Sequence, residues 1–232
     1  MSRQSDEPAE GGDVTDAAAA RRDTSRQRDP ERTRAELLAV ATEVFAEHGY
    51  SGARVDEIAD RTRTTKRMIY YYFGGKEQLY LAVLEQAYRG IREAEKVIHV
   101  GDLDPAEAIR RLAELTYDHH VRHSDFIRLV MIENVHRGVF IRQIEAIREL
   151  GQPAVGLLDE ILAQGRADGV FRSDVDALDV HMLISSYCVF QVANQYTFGY
   201  LFDRDLHSPA LSGHLRAMIG DVVVSWLTAP AA

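Results

Sequence analysis

Apolar residues recur every three to four positions along most of this chain, which is the spacing of amphipathic helices. The first apolar stripe lies within residues 30–49, between a proline that suits a first helical turn and a glycine that suits a helix end. No segment shows the strict alternation of apolar and polar residues that a half-buried strand requires. The sequence therefore predicts an all-α protein. The apolar positions of the first stripe are Leu37, Ala41, Val44 and Phe45.

Capping residues, glycines and prolines divide the rest of the chain into further helices. Residues that suit an N-cap precede several stripes, as Asp104 and Ser208 do, and Asp29 stands in the same way before the first stripe. Two short helices are predicted within residues 55–73. The helices predicted after them cover approximately 76–99, 105–122, 124–138, 140–150, 153–168, 177–198 and 209–226.

The last two predicted helices are apolar on more than one face. A helix that is apolar all round must be buried, and a small monomer has little interior in which to bury two of them. Two such helices from each of two subunits would form a four-helix interface. The sequence therefore favours a homodimer through the last two helices, and the alternative is that they form the core of a monomer.

Composition narrows the class of protein. The 232 residues are 46% hydrophobic with six prolines, which is enough apolar material for a helical core. The single cysteine, Cys188, suits a reducing cytoplasm, and no apolar run of about 18 residues predicts a membrane span. The first residues lack the apolar core of a secretory signal. We expect a cytoplasmic protein whose residues 1–29 form a disordered tail, although their arginines could instead lie along DNA.

The net charge of −9 is distributed unevenly. Residues 81–232 contain 14 Lys and Arg against 21 Asp and Glu, whereas residues 30–80 contain eight of each kind. A local basic face on an acidic body can neutralise DNA phosphates, and such binding should depend strongly on salt. In the window 61–76 every charged residue is basic, and these residues are Arg61, Arg63, Lys66, Arg67 and Lys76.

Residues 55–73 have the features of a DNA-reading helix-turn-helix. A recognition helix is short and carries long polar side chains in its first turn, as Lys66 and Arg67 would be. Both side chains can reach the acceptor edge of guanine in the major groove. Thr64 and Thr65 can cap this helix or contact a phosphate, and a row of tyrosines follows. The alternative is a basic amphipathic helix for a protein partner.

The segment GYSGARVDEIADRTRTTKRMIYYYFGGKEQLYLAVL resembles the N-terminal domain of TetR-type transcriptional regulators. The resemblance implies a three-helix helix-turn-helix DNA-binding domain over residues 30–75 and a helical effector-binding and dimerisation domain over 76–232. It also implies a homodimeric repressor that a small-molecule effector releases from a pseudo-palindromic double-stranded DNA operator. The matching positions are Gly49, Tyr50, Val55, Ile58, Ala59, Ile69, Tyr70, Phe73, Lys76, Glu77 and Leu79.

By this resemblance, Lys66, Arg67 and Met68 would contact base edges. The residues that would contact the DNA backbone are Thr65, Tyr70, Tyr71 and Lys76.

Two positions depart from the family pattern. Arg63 replaces the usual turn glycine, so we expect either a positive φ there or a slightly different turn. Arg54 replaces the usual capping Thr or Ser, which forfeits a side-chain cap but could add a phosphate contact.

Polar residues on the apolar helix 177–198 need partners, and a bound ligand is one candidate. A hydrogen-bonded dimer interface is the alternative. An arginine in such a pocket would favour an anionic or aromatic-acid ligand. The candidates on this helix are His181, Ser185, Cys188 and Gln191, and those on helices facing it are Tyr88, Arg92, Tyr117, His120, Phe126 and Asn134.

Metal and enzyme functions have less support. Within the group Asp118, His119, His120 and His123, His119 and His123 stand one helical turn apart, but a metal ion would need a further ligand such as His181. Most such groups are solvated helix ends, so we predict no metal and no cofactor. The sequence contains no P-loop, dinucleotide fingerprint, nucleophile elbow or HExxH motif. The alternative to a regulator is an α-helical ligand-binding protein or enzyme with an incidental basic helix.

Overall fold

The computed structural model describes residues 30–96 and 103–230, which form ten α-helices and one short 3-10 turn without any strand. This confirms the predicted all-α class. The predicted tail, the N-cap at position 29 and the end of the fourth helix near 99 lie outside the described residues. The helices are α1 (Pro30–Gly52), α2 (Val55–Arg61), α3 (Lys66–Phe73), α4 (Lys76–Glu95), α5 (Pro105–Arg122), α6 (Ser124–Val135), α7 (Glu145–Ala167), α8 (Ala177–Ala193), α9 (Gln195–Phe202) and α10 (Pro209–Thr228), with the 3-10 turn at Ile141–Gln143.

Capping groups set the observed helix boundaries. The Asp104 side chain accepts hydrogen bonds from the N–H groups of Ala106 (3.0 Å) and Glu107 (3.1 Å) at the start of α5. Asp176 and Asp179 form a reciprocal capping box at the start of α8. At Gly49 the φ angle is 66°, so the regular part of α1 ends there as predicted, and one further turn follows.

Two predicted boundaries are wrong. Helix α7 runs unbroken through Pro153, where the sequence predicted a new helix, and only the 3-10 turn precedes it. Pro153 and Glu149, whose carbonyl loses its helical partner, are both exposed, so water can satisfy that carbonyl. The predicted helix 177–198 is interrupted at Asn194, which separates α8 from α9.

The first four helices pack around one apolar cluster. Side chains from α1, α2, α3 and α4 meet there, so the two short helices are held against the longer ones on either side. This cluster continues into the rest of the chain through Leu129 of α6 and Ile147 of α7. Its fully buried members include Leu37, Phe45, Ile58, Ile69 and Leu79.

A second apolar cluster fills the space between α5, α7, α8 and α10. The Phe171 ring lies against Gly165 of α7 so closely that a Cβ atom on the glycine would come within 2.0 Å of its Cδ2 atom. Ion pairs join α5 to α10 on the outside, between Arg110 and Asp221 (2.6 Å) and between Glu114 and Arg216 (2.6 Å). Across residues 30–96 and 103–230, no helix combines the length and apolar character that crossing a membrane requires.

One buried carboxyl group connects the two parts of the molecule. Glu133 of α6 accepts a hydrogen bond from the Tyr80 hydroxyl of α4 (3.0 Å). Its other oxygen accepts from the N–H groups of Phe140 (3.2 Å) and Ile141 (3.0 Å). The Tyr50 ring of α1 packs on Tyr80 and Phe140 at the same place. The N-terminal helices are thereby fixed to α6 and to the 3-10 turn.

Candidate nucleic-acid interface and internal cavity

The α2–α3 pair turns an apolar face inward and a polar face outward. Ile58, Ala59, Ile69 and Phe73, four of the positions that match the family pattern, are buried in the first cluster. The turn between the helices is closed by a hydrogen bond from the Thr64 N–H to the Ala59 carbonyl (2.9 Å). This packing fixes how the outer face of α3 is presented.

Arg63 occupies the left-handed region in this turn, with φ at 50°. Of the two outcomes expected for the missing glycine, the structure therefore has the strained backbone. Arg54 is the N-cap residue of α2 and makes no side-chain cap hydrogen bond, as expected. Both arginines are exposed.

We expect Arg63→Gly to raise the free energy of unfolding by about 1 kcal/mol, because glycine adopts positive φ without steric cost. Arg63→Ala is the matched control, since it removes the same charge but keeps the strain. Urea unfolding followed by circular dichroism measures both variants. Equal stability of the glycine and alanine variants would show that the turn is not strained.

Several cations of the basic window already have partners within the protein. Lys66 pairs with Asp56 of α2 at 2.6 Å, and Arg61 pairs with Glu43 of α1. The Lys76 ammonium lies 4.8 Å from the centroid of the Tyr50 ring. The sequence did not reveal these pairings, because Asp56 and Glu43 lie outside the cation-only window. In the described part of the chain, the exposed cations Arg54, Arg63 and Arg67 form no ion pair.

The uncharged candidates also lie on or near this outer face. Thr65 is the exposed N-cap residue of α3, yet its hydroxyl makes no cap hydrogen bond. Tyr70 and Tyr71 are 55% and 78% exposed, so their hydroxyls can reach a partner outside the protein. Thr64 and Met68 are half-buried. The outer face of helix α3 therefore carries Arg67, several hydroxyl groups and Lys66, whose ammonium pairs with Asp56.

A cavity of about 380 Å³ lies between α4, α5, α6, α7 and α8. Most of its lining side chains are aliphatic or aromatic, and the polar ones come from α4, α5 and α8. Cavities of this size and character commonly hold small organic molecules. Six of the ten predicted effector residues line it, namely Tyr88, Arg92, His120, Phe126, His181 and Ser185.

The other four predicted effector residues do not line this cavity. Tyr117 and Cys188 are buried in the second apolar cluster, and the Tyr117 hydroxyl lies 3.4 Å from Ser212 Oγ. Asn134 is exposed and donates to the Val130 carbonyl (2.8 Å). Gln191 is buried two residues beyond Val189, the last residue of α8 that lines the cavity. Cys188 packs into the second cluster although the next residue, Val189, lines the cavity, so position along α8 does not explain its exclusion.

The cavity also contains a charge pair that the sequence reading missed. An Arg92 guanidinium nitrogen, Nη1, lies 2.8 Å from Oε2 of Glu95. Burial raises the pKa of Glu95 to about 6, while the Arg92 cation acts in the opposite direction. The i, i+3 spacing of these residues on α4 was the only signal in the sequence.

The cavity histidines are neutral near pH 7. Burial lowers the pKa of His120 to about 4. Burial and then the Arg92 charge lower the pKa of His181 from its usual value, and His181 Nδ1 lies 3.4 Å from Ser185 Oγ. Neither imidazole therefore adds positive charge beside Arg92.

The candidate metal residues point in different directions. Asp118 pairs with Arg216 (3.1 Å) and Arg122 (3.2 Å), and the His119 ring stacks on His123 with centroids 4.3 Å apart. His120 lines the cavity instead. Within the described ranges, no three His, Cys, Asp or Glu side chains are grouped as a metal ion would need.

The fold and this outer face define a helix-turn-helix regulator with a separate ligand cavity, and comparison with known proteins gives the family. Residues 37–83 match the family model described as bacterial regulatory proteins, tetR family. Residues 105–223 match the model described as tetracyclin repressor-like, C-terminal domain. The chain belongs to the tetR family of bacterial regulatory proteins. It is a DNA-binding transcriptional regulator, and proteins of this family are not enzymes.

Individual relatives agree with this assignment. The chain is 34% identical over 202 residues to the transcriptional repressor NicS of Pseudomonas putida, covering 87% of this chain and 95% of NicS. It is 32% identical to the repressor SCO4008 of Streptomyces coelicolor over 59% of this chain and 73% of that protein. The crystal structure of SCO4942 from Streptomyces coelicolor superposes with a TM-score of 0.64 at 28% identity, over 82% of this chain and 97% of that chain.

The fold also extends to more distant proteins. FadR from Bacillus subtilis, solved in complex with stearoyl-CoA, superposes with a TM-score of 0.62 at 21% identity, over 83% of this chain and 98% of FadR. At this identity the likeness concerns the fold alone.

Proposed function

We propose that this regulator is a homodimeric repressor that acts in the cytoplasm and leaves its operator when a small molecule occupies the cavity. One observation carries the proposal. Helix α4 begins directly after the recognition helix and its other end lines the cavity, so a single rigid element touches both sites. A ligand that moves α4 would change the position of α3. The repressors among its relatives support the same direction of control.

In this proposal residues 30–75 bind one half of a pseudo-palindromic double-stranded DNA operator. Two recognition helices in successive major grooves require half-sites about 34–36 Å apart. Lys66, Arg67 and Met68 would contact base edges. The residues that would contact phosphates or sugars are Arg54, Arg63, Thr64, Thr65, Tyr70, Tyr71 and Lys76.

Residues 76–232 would bind the effector and form the dimer. The proposed interface is the outer surface of α8 and α10, which carries exposed apolar side chains that a partner subunit would cover. Leu178 and Met182 of α8 are 61% and 66% exposed, and Val222 of α10 is 44% exposed. Exposed apolar surface of this kind marks interaction sites.

We expect Arg67→Ala to weaken operator binding by about 1–3 kcal/mol, the discrimination of one arginine–guanine contact. Duplexes selected from a random-sequence pool by the unmodified protein would supply the operator, and fluorescence anisotropy would measure the affinity. Arg67 suits this test because it is exposed and forms no ion pair within the described ranges, so its loss leaves the fold intact.

Arg111→Ala is the matched control for this experiment. Arg111 is an exposed arginine on α5, outside the proposed DNA-binding domain. The Arg111→Ala protein should therefore bind the operator with the affinity of the unmodified protein. Selection that enriches no sequence, or an Arg67→Ala protein with unchanged affinity, would contradict the proposed function.

A further inference from the structure

The Arg92–Glu95 pair is buried in a mostly apolar cavity without the hydrogen bonds that usually accompany a buried pair. The two side chains are 14% and 11% exposed. Nη1 of Arg92 is inaccessible to solvent and has no hydrogen-bond partner among the described residues, since its approach to Glu95 is close but poorly aligned. A guanidinium group can donate five hydrogen bonds, and buried charges are stable only when paired and hydrogen-bonded. Arg92 is therefore incompletely satisfied.

Glu95 is the one carboxylate among the described residues that line the cavity. The remaining polar side chains of the lining are Tyr88, Thr116, His120, His181 and Ser185, all uncharged near pH 7. The lining residues of α6 and α7 are apolar. A second carboxylate entering the cavity would meet one cation, Arg92, and would compete with Glu95 for it.

The aromatic groups beside Arg92 indicate the kind of body that would carry this carboxylate. The Tyr88 and Phe126 rings meet edge to face with centroids 5.2 Å apart, and His120 meets Phe126 at 5.7 Å. Such rings pack well against another ring or a short hydrocarbon chain. A cavity of about 380 Å³ is near the lower end for ligand sites, which limits the ligand to a compact molecule.

We propose that the effector is a compact organic acid whose carboxylate replaces Glu95 as the partner of Arg92, while Glu95 takes up one proton. This inference rests on the proposed function, because it names the ligand class of the same cavity. The charge of the cavity is unchanged by the exchange: one carboxylate enters and one is neutralised. The apolar body of the acid lies against Tyr88 and Phe126.

The pKa values of the surrounding groups give the direction of the pH dependence. Burial already holds the pKa of Glu95 at about 6, and losing Arg92 to the ligand would raise it further. Binding above pH 6 therefore takes up a proton, so affinity rises as the pH falls from 8 to 6, by up to about tenfold per pH unit. Below pH 6 the free protein is already protonated at Glu95 and the dependence flattens.

The histidines near Glu95 all have pKa values below the usual value of imidazole. Burial lowers the pKa of His119 to about 3 and that of His120 to about 4 on α5. The pKa of His181 on α8 is also lowered, chiefly by burial. Arg92 stays charged, since burial lowers its pKa only from a very high value. The expected proton uptake thus belongs to Glu95.

Isothermal titration calorimetry of the full chain tests this inference with two matched pairs of probes. Sodium benzoate is compared with benzamide, and sodium hexanoate with hexanamide, at pH 6, 7 and 8. We expect at least one acid to bind about tenfold more tightly than its amide at pH 7, and more tightly at pH 6 than at pH 8. Equal binding of acid and amide in both pairs, or no binding of either acid, would overturn the proposal.

Three variants assign the effect to the pair. Arg92→Gln should reduce acid binding to the level of the amide, whereas Arg89→Gln, which removes an exposed ion pair with Glu85 on the same helix, should not. Glu95→Gln should bind the acid with an affinity that no longer changes between pH 6 and 8. A Glu95→Gln protein that keeps the original pH dependence would also overturn the proposal. Circular dichroism melting verifies that each variant is folded.

The outcomes separate this inference from the proposed function. A protein that selects an operator but does not distinguish acids from amides overturns the ligand class and leaves the repressor function intact. A protein that binds the acid through Arg92 but selects no operator overturns the repressor function and leaves the ligand class intact.

Discussion

Glu133→Ala should lower the free energy of unfolding by about 3–5 kcal/mol, more than any other single substitution of a charged residue proposed for this protein. Glu133 is 3% exposed and accepts hydrogen bonds from the Tyr80 hydroxyl and from two backbone N–H groups. Truncation leaves the buried Tyr80 hydroxyl and the two part-buried N–H groups without this acceptor. Each such donor costs about 1–3 kcal/mol, partly recovered where water can enter. Guanidinium unfolding followed by circular dichroism measures the loss.

Two further substitutions make this result interpretable. Glu133→Gln keeps one acceptor oxygen, so its free energy of unfolding should fall less than that of the alanine variant. Glu160→Ala removes an exposed glutamate of α7 that has no hydrogen bond or ion pair within the described residues, and should change stability by less than about 0.5 kcal/mol. A Glu133→Ala protein as stable as the Glu160→Ala protein would mean that the connection between α4 and α6 is not held by this carboxyl group.

Gly165→Ala should destabilise the chain by about 2–3 kcal/mol, although alanine is ordinarily the better helix residue. The added Cβ would lie 2.0, 2.5 and 2.6 Å from three carbon atoms of the Phe171 ring. Phe171 is 6% exposed within the second apolar cluster, so the ring can only move by disturbing that cluster. Thermal and guanidinium unfolding both report the change.

Gly156→Ala on the same helix supplies a control of opposite sign. No atom of the neighbouring described residues lies within 4 Å of the Cβ position of Gly156. Alanine there should raise the free energy of unfolding by about 1 kcal/mol through helix propensity alone. If both alanine variants are stabilised, the contact between Gly165 and Phe171 is looser than the structure has it.

Helix ends were predictable where a local side chain determines them. Asp104 and Asp176 cap α5 and α8 through their own carboxylates, and Gly49 supplies a conformation that other residues adopt at a cost. Pro153 misled the prediction because a helix can continue through an exposed proline when water satisfies the freed carbonyl. Whether position 149 faces water depends on tertiary packing, which the local sequence does not contain.

The sequence predicted which side chains of residues 55–73 face outward, but it did not predict their ion pairs. The motif placed Ile58 and Ile69 inside and Arg67 outside, because inward and outward positions follow from helical periodicity. The pairings of Lys66 with Asp56 and Arg61 with Glu43 depend on how neighbouring helices cross, so no periodicity predicts them.

The cavity shows the same limit. Residues from α4, α5, α6 and α8 that the sequence grouped as ligand candidates do come together, and their shared signal was polarity or aromaticity on an apolar face. Which side chains of α8 face the cavity depends on how the other helices pack around it. That is a property of three-dimensional packing, and it places Cys188 in the second apolar cluster although Ser185 and Val189, on either side of it in the chain, line the cavity.

The pairing of Lys66 with Asp56 has a consequence for how the protein searches a genome. A lysine that already pairs with a carboxylate gains little binding free energy when it exchanges that carboxylate for a DNA phosphate. The protein should therefore bind DNA of random sequence less tightly than it would with an unpaired lysine. Because non-specific sites outnumber an operator by about 10⁶ or more, loose attachment to them keeps more of the protein available for the correct site. If α3 reads DNA as proposed, Asp56 would thus shorten each wrong encounter. Arg67, which forms no ion pair within the described residues, would then decide which encounter lasts.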